Sequence, residues 1–212
     1  MRLYDYYRST ASYRVRIVLN IKNINYQSVP INLLNNGQDS DDYRQLNPQG
    51  LVPLLDTNQH LVTQSLAIIE YLEERFPMPS ILPNEPFVRA HVRSLAMLIA
   101  CDMHPLNNVR VLKYLREQFA IDETQINLWY HHWLQLGFDA FEHKLQSATM
   151  SSNNNFCYGN SITLADICLI PQVYNAKRFG FAMDEYPLIN AINQYCLTLP
   201  VFHSASPESV VG

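Results

Sequence analysis

The feature that most constrains the fold of this chain is an abrupt change of period near its first third. Residues 1–78 alternate strand-like and helical runs, whereas the apolar residues after them recur at helical spacing. Pro77, Pro79, Pro83 and Pro86 mark the change, because proline ends helices and disfavours helical backbone in the residue before it. Within the first region, Met1–Tyr6 and Tyr26–Ile31 read as strands, joined by an amphipathic helix from about Ala11 to Lys22. Asn35-Asn36-Gly37 is a turn, and Ser40-Asp41-Asp42 opens a short helix that ends before Asn47-Pro48. A loop at Gln49–Val52 leads into a strand begun by Pro53, a position that tolerates proline. Thr57–His60 turns the chain into Leu61-Val62, and Gln64-Ser65 opens a strong helix to Phe76. The order βαβαββα predicts a small mixed sheet with helices packed on it.

Downstream, Val88, Val92, Leu95, Ile99 and Met103 predict one long helix, which Pro105 must kink or break. Further helices are expected to about Phe119, over roughly 123–149, from Thr163-Leu164-Ala165-Asp166, and from Pro187 to near Leu199-Pro200. Ser151–Asn155 is expected to be a polar loop. The fold class is therefore α/β followed by all-α, with a mixed domain over 1–78 and a helical one over 84–212.

Composition narrows the function classes. Hydrophobic residues make up 48% of the 212 and charged residues 16%, which suits a globular chain. Fifteen Lys and Arg against nineteen Asp and Glu leave a formal charge of −4. That balance argues against a nucleic-acid partner, which needs a basic footprint. Cys101, Cys157, Cys168 and Cys196 lie far apart, with no metal-ligand spacing, so no metal site is expected. Cys101 and Cys168 fall in apolar helical runs and read as small core residues. Widely spaced thiols point to a reduced, cytoplasmic protein. No signal peptide or membrane-spanning helix is expected, because the apolar runs are too short.

The stretch Tyr7-Arg8-Ser9-Thr10-Ala11-Ser12-Tyr13-Arg14-Val15-Arg16-Ile17 carries the first functional signal. It opens a helix with three hydroxyl residues, Ser9, Thr10 and Ser12, of the kind that bond free N–H groups at helix starts. A hydroxyl beside unpaired N–H groups at a positive helix end also suits an anion. A thiolate is such an anion, since this setting lowers a thiol's pKa. The alternative is a plain helix cap.

Three pieces fall in one order: Ser9, then Val52-Pro53 before a strand, then Gln64-Ser65 at a helix start. Together they resemble the thioredoxin-like, glutathione-binding domain of the glutathione transferases. Ser9–Ile17 further resembles the zeta-class signature S-S-C-x-x-R-V-R-I. Asn47-Pro48, Val52-Pro53 and the run Gln64-Ser65-Leu66-Ala67-Ile68-Ile69-Glu70-Tyr71-Leu72-Glu73 resemble the same class. Leu164–Val173 and Tyr186-Pro187-Leu188-Ile189 extend the resemblance across essentially the whole chain. One position departs from the signature: its Cys is Ala11 here.

The resemblance implies the glutathione transferase fold, glutathione as cofactor, and a homodimer. It also implies cis–trans isomerisation of maleylacetoacetate or maleylpyruvate, a small cis dicarboxylic keto acid. In that chemistry the glutathione thiolate adds to the double bond, the resulting single bond rotates, and elimination restores a trans alkene. Ser9 would donate to the thiolate, with Thr10 as the alternative, and Arg8 would meet a substrate carboxylate. Pro53 would be cis, presenting the Val52 main chain to the cysteinyl backbone. Ser65 would take the γ-glutamyl carboxylate, Gln64 the α-amino group, and Gln49 the glycyl end. His104, Asn108, Arg110 and Arg178 form the candidate substrate wall, His104 and Asn108 being expected on one helix face; the alternative for residues 104–110 is a polar patch around the Pro105 kink. Arg178 also reads as a surface ion-pair partner, and Arg14 and Arg16 as structural residues. Two other readings remain: a general transferase or α-haloacid dehalogenase with an apolar second site, and a non-catalytic binding module of the same fold.

Overall fold

The computed structural model describes residues 1–149 and 155–210. The polar loop expected at Ser151–Asn155 lies, apart from Asn155, outside the described residues. Two compact units are present: Met1–Ser80 with Leu197–Gly212, and Ile81–Cys196.

In the first unit the elements are β1 (Arg2–Asp5), α1 (Thr10–Ile21), β2 (Gln27–Pro30), α2 (Asp41–Leu46), β3 (Leu54–Asp56), β4 (Leu61–Thr63) and α3 (Ser65–Arg75). The sheet order is β2-β1-β3-β4, with β1 parallel to β2 and antiparallel to β3. Side chains alternate across a strand, and β1 follows the rule. Tyr4 and its partner Leu54 pack with Tyr43 of α2, while Leu3 and its partner Leu55 point to the other face and are fully buried. Burying each such leucine contributes about 1.5–3 kcal/mol.

α1 and α3 pack on each other, and a buried ion pair joins their C-terminal ends. Lys22 Nζ donates to Glu73 Oε2 and, at 2.7 Å, to the Pro79 carbonyl.

The end of the chain departs from the expected 84–212 helical domain. Residues 197–210 belong with the first unit and carry α9 (Pro200–His203) and α10 (Pro207–Val210). Tyr13 Oη donates to Phe202 O (3.2 Å), Arg16 Nε to Ala205 O (2.9 Å) and Asn20 Nδ2 to Val201 O (3.2 Å). Four-residue helices are too short to show a period, so sequence spacing could not assign them to either unit.

The second unit holds α4 (Pro86–Met97), α5 (Val109–Phe119), α6 (Glu123–Thr149), α7 (Leu164–Arg178) and, up to Cys196, α8 (Pro187–Thr198). Carboxylates secure several helix starts, where unpaired N–H groups need acceptors. Glu85 accepts from Phe87 and Val88, and Glu142 from Leu188 and Ile189. Asp166 accepts from the Thr163 and Cys157 main chain and from the Thr163 hydroxyl.

The long helix expected to Met103 is continuous but changes pitch. After Met97 it widens to a π-helix over Leu98–Met103, then tightens to a 3-10 turn over Pro105–Asn107. Gly137 of α6 allows this, since a Cβ there would sit 2.2 Å from Met103 Cγ. The change of pitch also corrects the reading of Cys101, which is exposed, whereas Cys168 is buried.

Candidate active site

Ser9 is the N-cap of α1. Its Oγ accepts the Ser12 N–H at 3.2 Å, and its carbonyl accepts the Tyr13 N–H. The two sequence readings of Ser9 are therefore compatible. A hydroxyl accepts through a lone pair and keeps its own proton to donate. Among the described residues the Ser9 hydroxyl makes no donated bond, and the Thr10 and Ala11 N–H groups at the first helical positions have no acceptor. Three donors thus converge on one helix end, a setting that favours a negative charge. Ala11 contributes its N–H to that set, so the missing signature thiol removes none of these donors. Thr10 is buried, Ser9 half-buried and Arg8 exposed. The Arg8 guanidinium lies 5.0 Å from the Tyr7 ring centroid.

The second cluster forms at the end of the β3–β4 hairpin. The register Leu54↔Thr63 brings the chain before β3 alongside the chain after β4, so Val52, Pro53, Gln64 and Ser65 meet there. The Val52–Pro53 peptide is cis. Val52 N–H and C=O make no main-chain bond among the described residues. They are an open edge for an extended peptide.

Gln64 adopts φ 67° and makes no side-chain cap. The N–H groups of Ser65, Leu66 and Ala67, at the start of an eleven-residue helix, therefore stay open beside the Ser65 hydroxyl. Gln64 Nε2 donates to Gln49 Oε1 at 2.7 Å. That bond leaves the Gln64 carbonyl oxygen and the Gln49 amide nitrogen for a ligand.

Two residues that sequence reasoning did not assign to this site support it. Arg14 is buried, and its Nη1 lies 3.4 Å from Ser65 Oγ, so a cation backs the open N-terminus of α3. Asn47 holds the loop before Val52: its Nδ2 donates to Leu51 O at 2.7 Å, and its Oδ1 accepts the Gln49 N–H at 3.1 Å. Tyr43 Oη donates to the same Leu51 carbonyl at 2.7 Å, and burial pushes its phenol up to about 12, keeping it a donor. The signal for Asn47 was the Asn-Pro step closing α2. Arg14 gave no separate signal from the structural Arg16.

The donor set fits a zwitterionic tripeptide. An uncapped helix end with a nearby cation suits one carboxylate, a free amide carbonyl suits an ammonium, and an open main-chain edge suits the peptide between.

In the second unit the expected cluster is rearranged. His104 and Asn108 do not share a helix face, because Pro105 has no N–H to continue the helix and the 3-10 turn intervenes. Asn108 is extended (φ −68°, ψ 144°) and caps α5, its Oδ1 accepting the Arg110 N–H at 3.1 Å. His104 is half-buried at the end of the π-helix, and Arg110 is exposed on the first turn of α5. Neither Arg110 nor Arg178 meets a carboxylate among the described residues. Of the two readings of Arg178, substrate wall or surface ion pair, the ion pair is not formed among the described residues: Arg178 donates to Asn175 Oδ1 at 3.1 Å.

Comparisons with known proteins show the family. Residues 3–80 match the glutathione S-transferase N-terminal domain. The maleylacetoacetate isomerase of Pseudomonas aeruginosa is 45% identical over 99% of this chain and 97% of its own. The holo structure of a maleylpyruvate isomerase, described as a bacterial zeta-class glutathione S-transferase, superposes with a TM-score of 0.95 at 43% identity, covering 99% of this chain and 98% of that one. A maleylacetoacetate isomerase from Methylobacterium extorquens, solved with malonate and glutathione bound, gives 0.94 at 36% identity over 99% and 97%. By this near-complete coverage the chain belongs to the zeta-class glutathione transferases, the family of the maleylacetoacetate and maleylpyruvate isomerases.

Proposed function

We propose that this protein is a glutathione-dependent cis–trans isomerase of a maleyl-type dicarboxylic keto acid, maleylacetoacetate or maleylpyruvate. The observation that carries the reading is the open N-terminus of α1, where the Ser9 hydroxyl and the Thr10 and Ala11 N–H groups keep their protons to give. Glutathione, when bound, supplies the sulfur nucleophile that adds reversibly to the substrate's double bond.

Every other part is played by side chains and main chain of this protein. Ser9 Oγ–H, with the two N–H groups, stabilises the ionised sulfur. The Val52 main chain orients the cysteinyl segment. The N-terminus of α3, with Ser65 and Arg14, takes the γ-glutamyl carboxylate; Gln64 takes the α-amino group, and Gln49 the glycyl end. Arg8, Arg110 and Arg178 are assigned to the acidic substrate, as cations with no carboxylate partner among the described residues. His104 and Asn108 complete that assignment as polar neighbours in sequence.

The working protein is a homodimer in this reading. It acts in the cytoplasm, where its four free cysteines stay reduced. No helix among the described residues is long and apolar enough to cross a membrane.

The test uses purified protein with maleylpyruvate and maleylacetoacetate, with and without glutathione, following loss of the cis absorbance. Glutathione-dependent turnover without glutathione consumption is expected, reduced about tenfold or more in Ser9→Ala, or 1.4 kcal/mol. Binding of glutathione without turnover, alongside conjugation of a model electrophile, would instead favour a general transferase. Failure to bind glutathione would favour a non-catalytic module.

A further inference from the structure

Arg178 is an exposed cation at the end of α7, yet it is tied to groups that are almost wholly buried. Its Nη2 donates to Asn175 Oδ1 at 3.1 Å. Asn175, 8% exposed, uses its other end: Nδ2 donates to Tyr130 Oη at 2.6 Å. Tyr130, on α6, is fully buried, and its ring stacks on Phe179 with centroids 4.2 Å apart and planes 19° from parallel. The Arg178 guanidinium carbon lies 4.6 Å from the Phe179 centroid, which closes the circuit.

This arrangement has two physical consequences. An unrestrained surface arginine keeps most of its rotamer freedom and forfeits it when it grips a ligand. Here part of that entropy is already spent, through a hydrogen bond on one edge and a ring face below. In addition, the partner is a neutral amide rather than a carboxylate. The guanidinium is therefore oriented without being neutralised, and its remaining N–H groups keep their full pull on an anion. The amide works in one sense only, with its carbonyl towards Arg178 and its NH2 towards the phenol oxygen.

We propose that Asn175, backed by Tyr130, is a positioning residue that holds Arg178 as a preoriented, unpaired cation for one carboxylate of the substrate. The proposal rests on the assignment of Arg178 to the acidic substrate made above. Asn175 and Tyr130 touch no reacting atom; they act through Arg178.

The test compares isomerisation of the dicarboxylic substrate with that of a cis-enedione analogue lacking the distal carboxylate. Wild type, Asn175→Ala, Asn175→Asp, Tyr130→Phe, Arg178→Ala and the Asn175→Ala/Arg178→Ala double variant are assayed. Tyr130→Phe keeps the ring and its stacking, so it reads the hydrogen bond even if Asn175→Ala folds poorly. For the dicarboxylate, Asn175→Ala and Tyr130→Phe are expected to raise KM by about threefold to tenfold, the scale of one hydrogen bond, with kcat changed less. Asn175→Asp is expected to raise KM as well, by pairing the charge it orients. Asn175→Ala, Asn175→Asp and Tyr130→Phe are expected to leave turnover of the analogue unchanged, and the double variant is expected to be no worse than Arg178→Ala on the dicarboxylate.

A raised KM in Arg178→Ala with none in Asn175→Ala or Tyr130→Phe would overturn the positioning role and leave the Arg178 assignment standing. Equal losses on both substrates would also overturn it, by showing a merely structural contribution. An unchanged KM in Arg178→Ala overturns the Arg178 assignment and the positioning role together. Absence of wild-type turnover of the dicarboxylic substrate overturns the isomerase reading itself, and the positioning role with it.

Discussion

Arg16 Nη1 reaches both carboxylate oxygens of Asp5, at 2.9 and 2.7 Å, with both side chains buried. The same guanidinium donates to Tyr7 O at 2.8 Å and to Ala205 O. One cation thus ties the end of β1, the turn leading to Ser9, and the returning C-terminal segment. A buried pair gives little net stability against an apolar replacement, but removing one partner strands the other. Asp5→Ala and Arg16→Ala are each expected to lose about 3–5 kcal/mol in denaturant unfolding. Equal losses in a well-packed apolar double replacement would contradict this account.

Gln64 predicts a trade between stability and binding. Its φ of 67° lies where a side chain costs about 1–3 kcal/mol, while glycine adds about 0.5–1 kcal/mol of backbone entropy loss on folding. Gln64→Gly should therefore raise stability by about 1 kcal/mol, seen as a melting temperature higher by about 2–4 °C for a chain of this size. Glutathione affinity, read by calorimetry, should fall, because the amide carbonyl assigned to the α-amino group is gone. A variant that is both less stable and unchanged in affinity would contradict both halves.

Close packing between α6 and the π-helix can be tested at Gly137. A Cβ there would meet Met103 at Cγ, Sδ and Cε, 2.2, 2.4 and 2.7 Å away, and Met103 is buried. Gly137→Ala improves helix propensity by about 1 kcal/mol, yet the overpacking should cost about 1–3 kcal/mol. A net loss of stability is expected, and Gly137→Ala should cost nothing when it is made in a Met103→Ala background and compared with Met103→Ala alone, since the clash is then gone. An equal cost of Gly137→Ala in both backgrounds would place its cause elsewhere.

His91 should give the protein a pH dependence on the acid side. It lies on α4 with its ring 5.8 Å from Tyr158, and partial burial, helped by the Lys144 charge, lowers its pKa from the ordinary 6.5. A base whose folded pKa is depressed supports stability above its unfolded value. That support is lost as pH falls through the folded value, because the unfolded chain takes the proton more readily. Denaturant midpoints between pH 7 and 5 should therefore drop less steeply in His91→Gln than in wild type. An NMR titration placing His91 at or above 6.5 would contradict the assignment.

Much of the fold is determined by sequence alone. Strand-like runs, Asn-Gly and Asn-Pro breaks and helical repeats carry local physics, so the order βαβαββα, the Ser40 cap, the helix from Thr163 and the prolines near residue 80 were all legible. As local devices, a hydroxyl at a helix start or a proline before a strand, Ser9, Val52-Pro53 and Gln64-Ser65 were legible for the same reason, whereas the ligand roles proposed for them came from the resemblance to the glutathione transferases.

Tertiary structure decided what depends on a partner far along the chain. Residues 197–210 joined the first unit because their carbonyls accept from Tyr13, Arg16 and Asn20. Gly137 leaves room for Met103 at the end of the π-helical turn, and the 3-10 turn begun by Pro105 separates His104 from Asn108. Arg14 and Arg16 are two residues apart on one helix, yet one backs the open end of α3 and the other locks β1 to the C-terminal segment. Spacing could not tell them apart, since a long side chain's role is set by the groups that burial places around it.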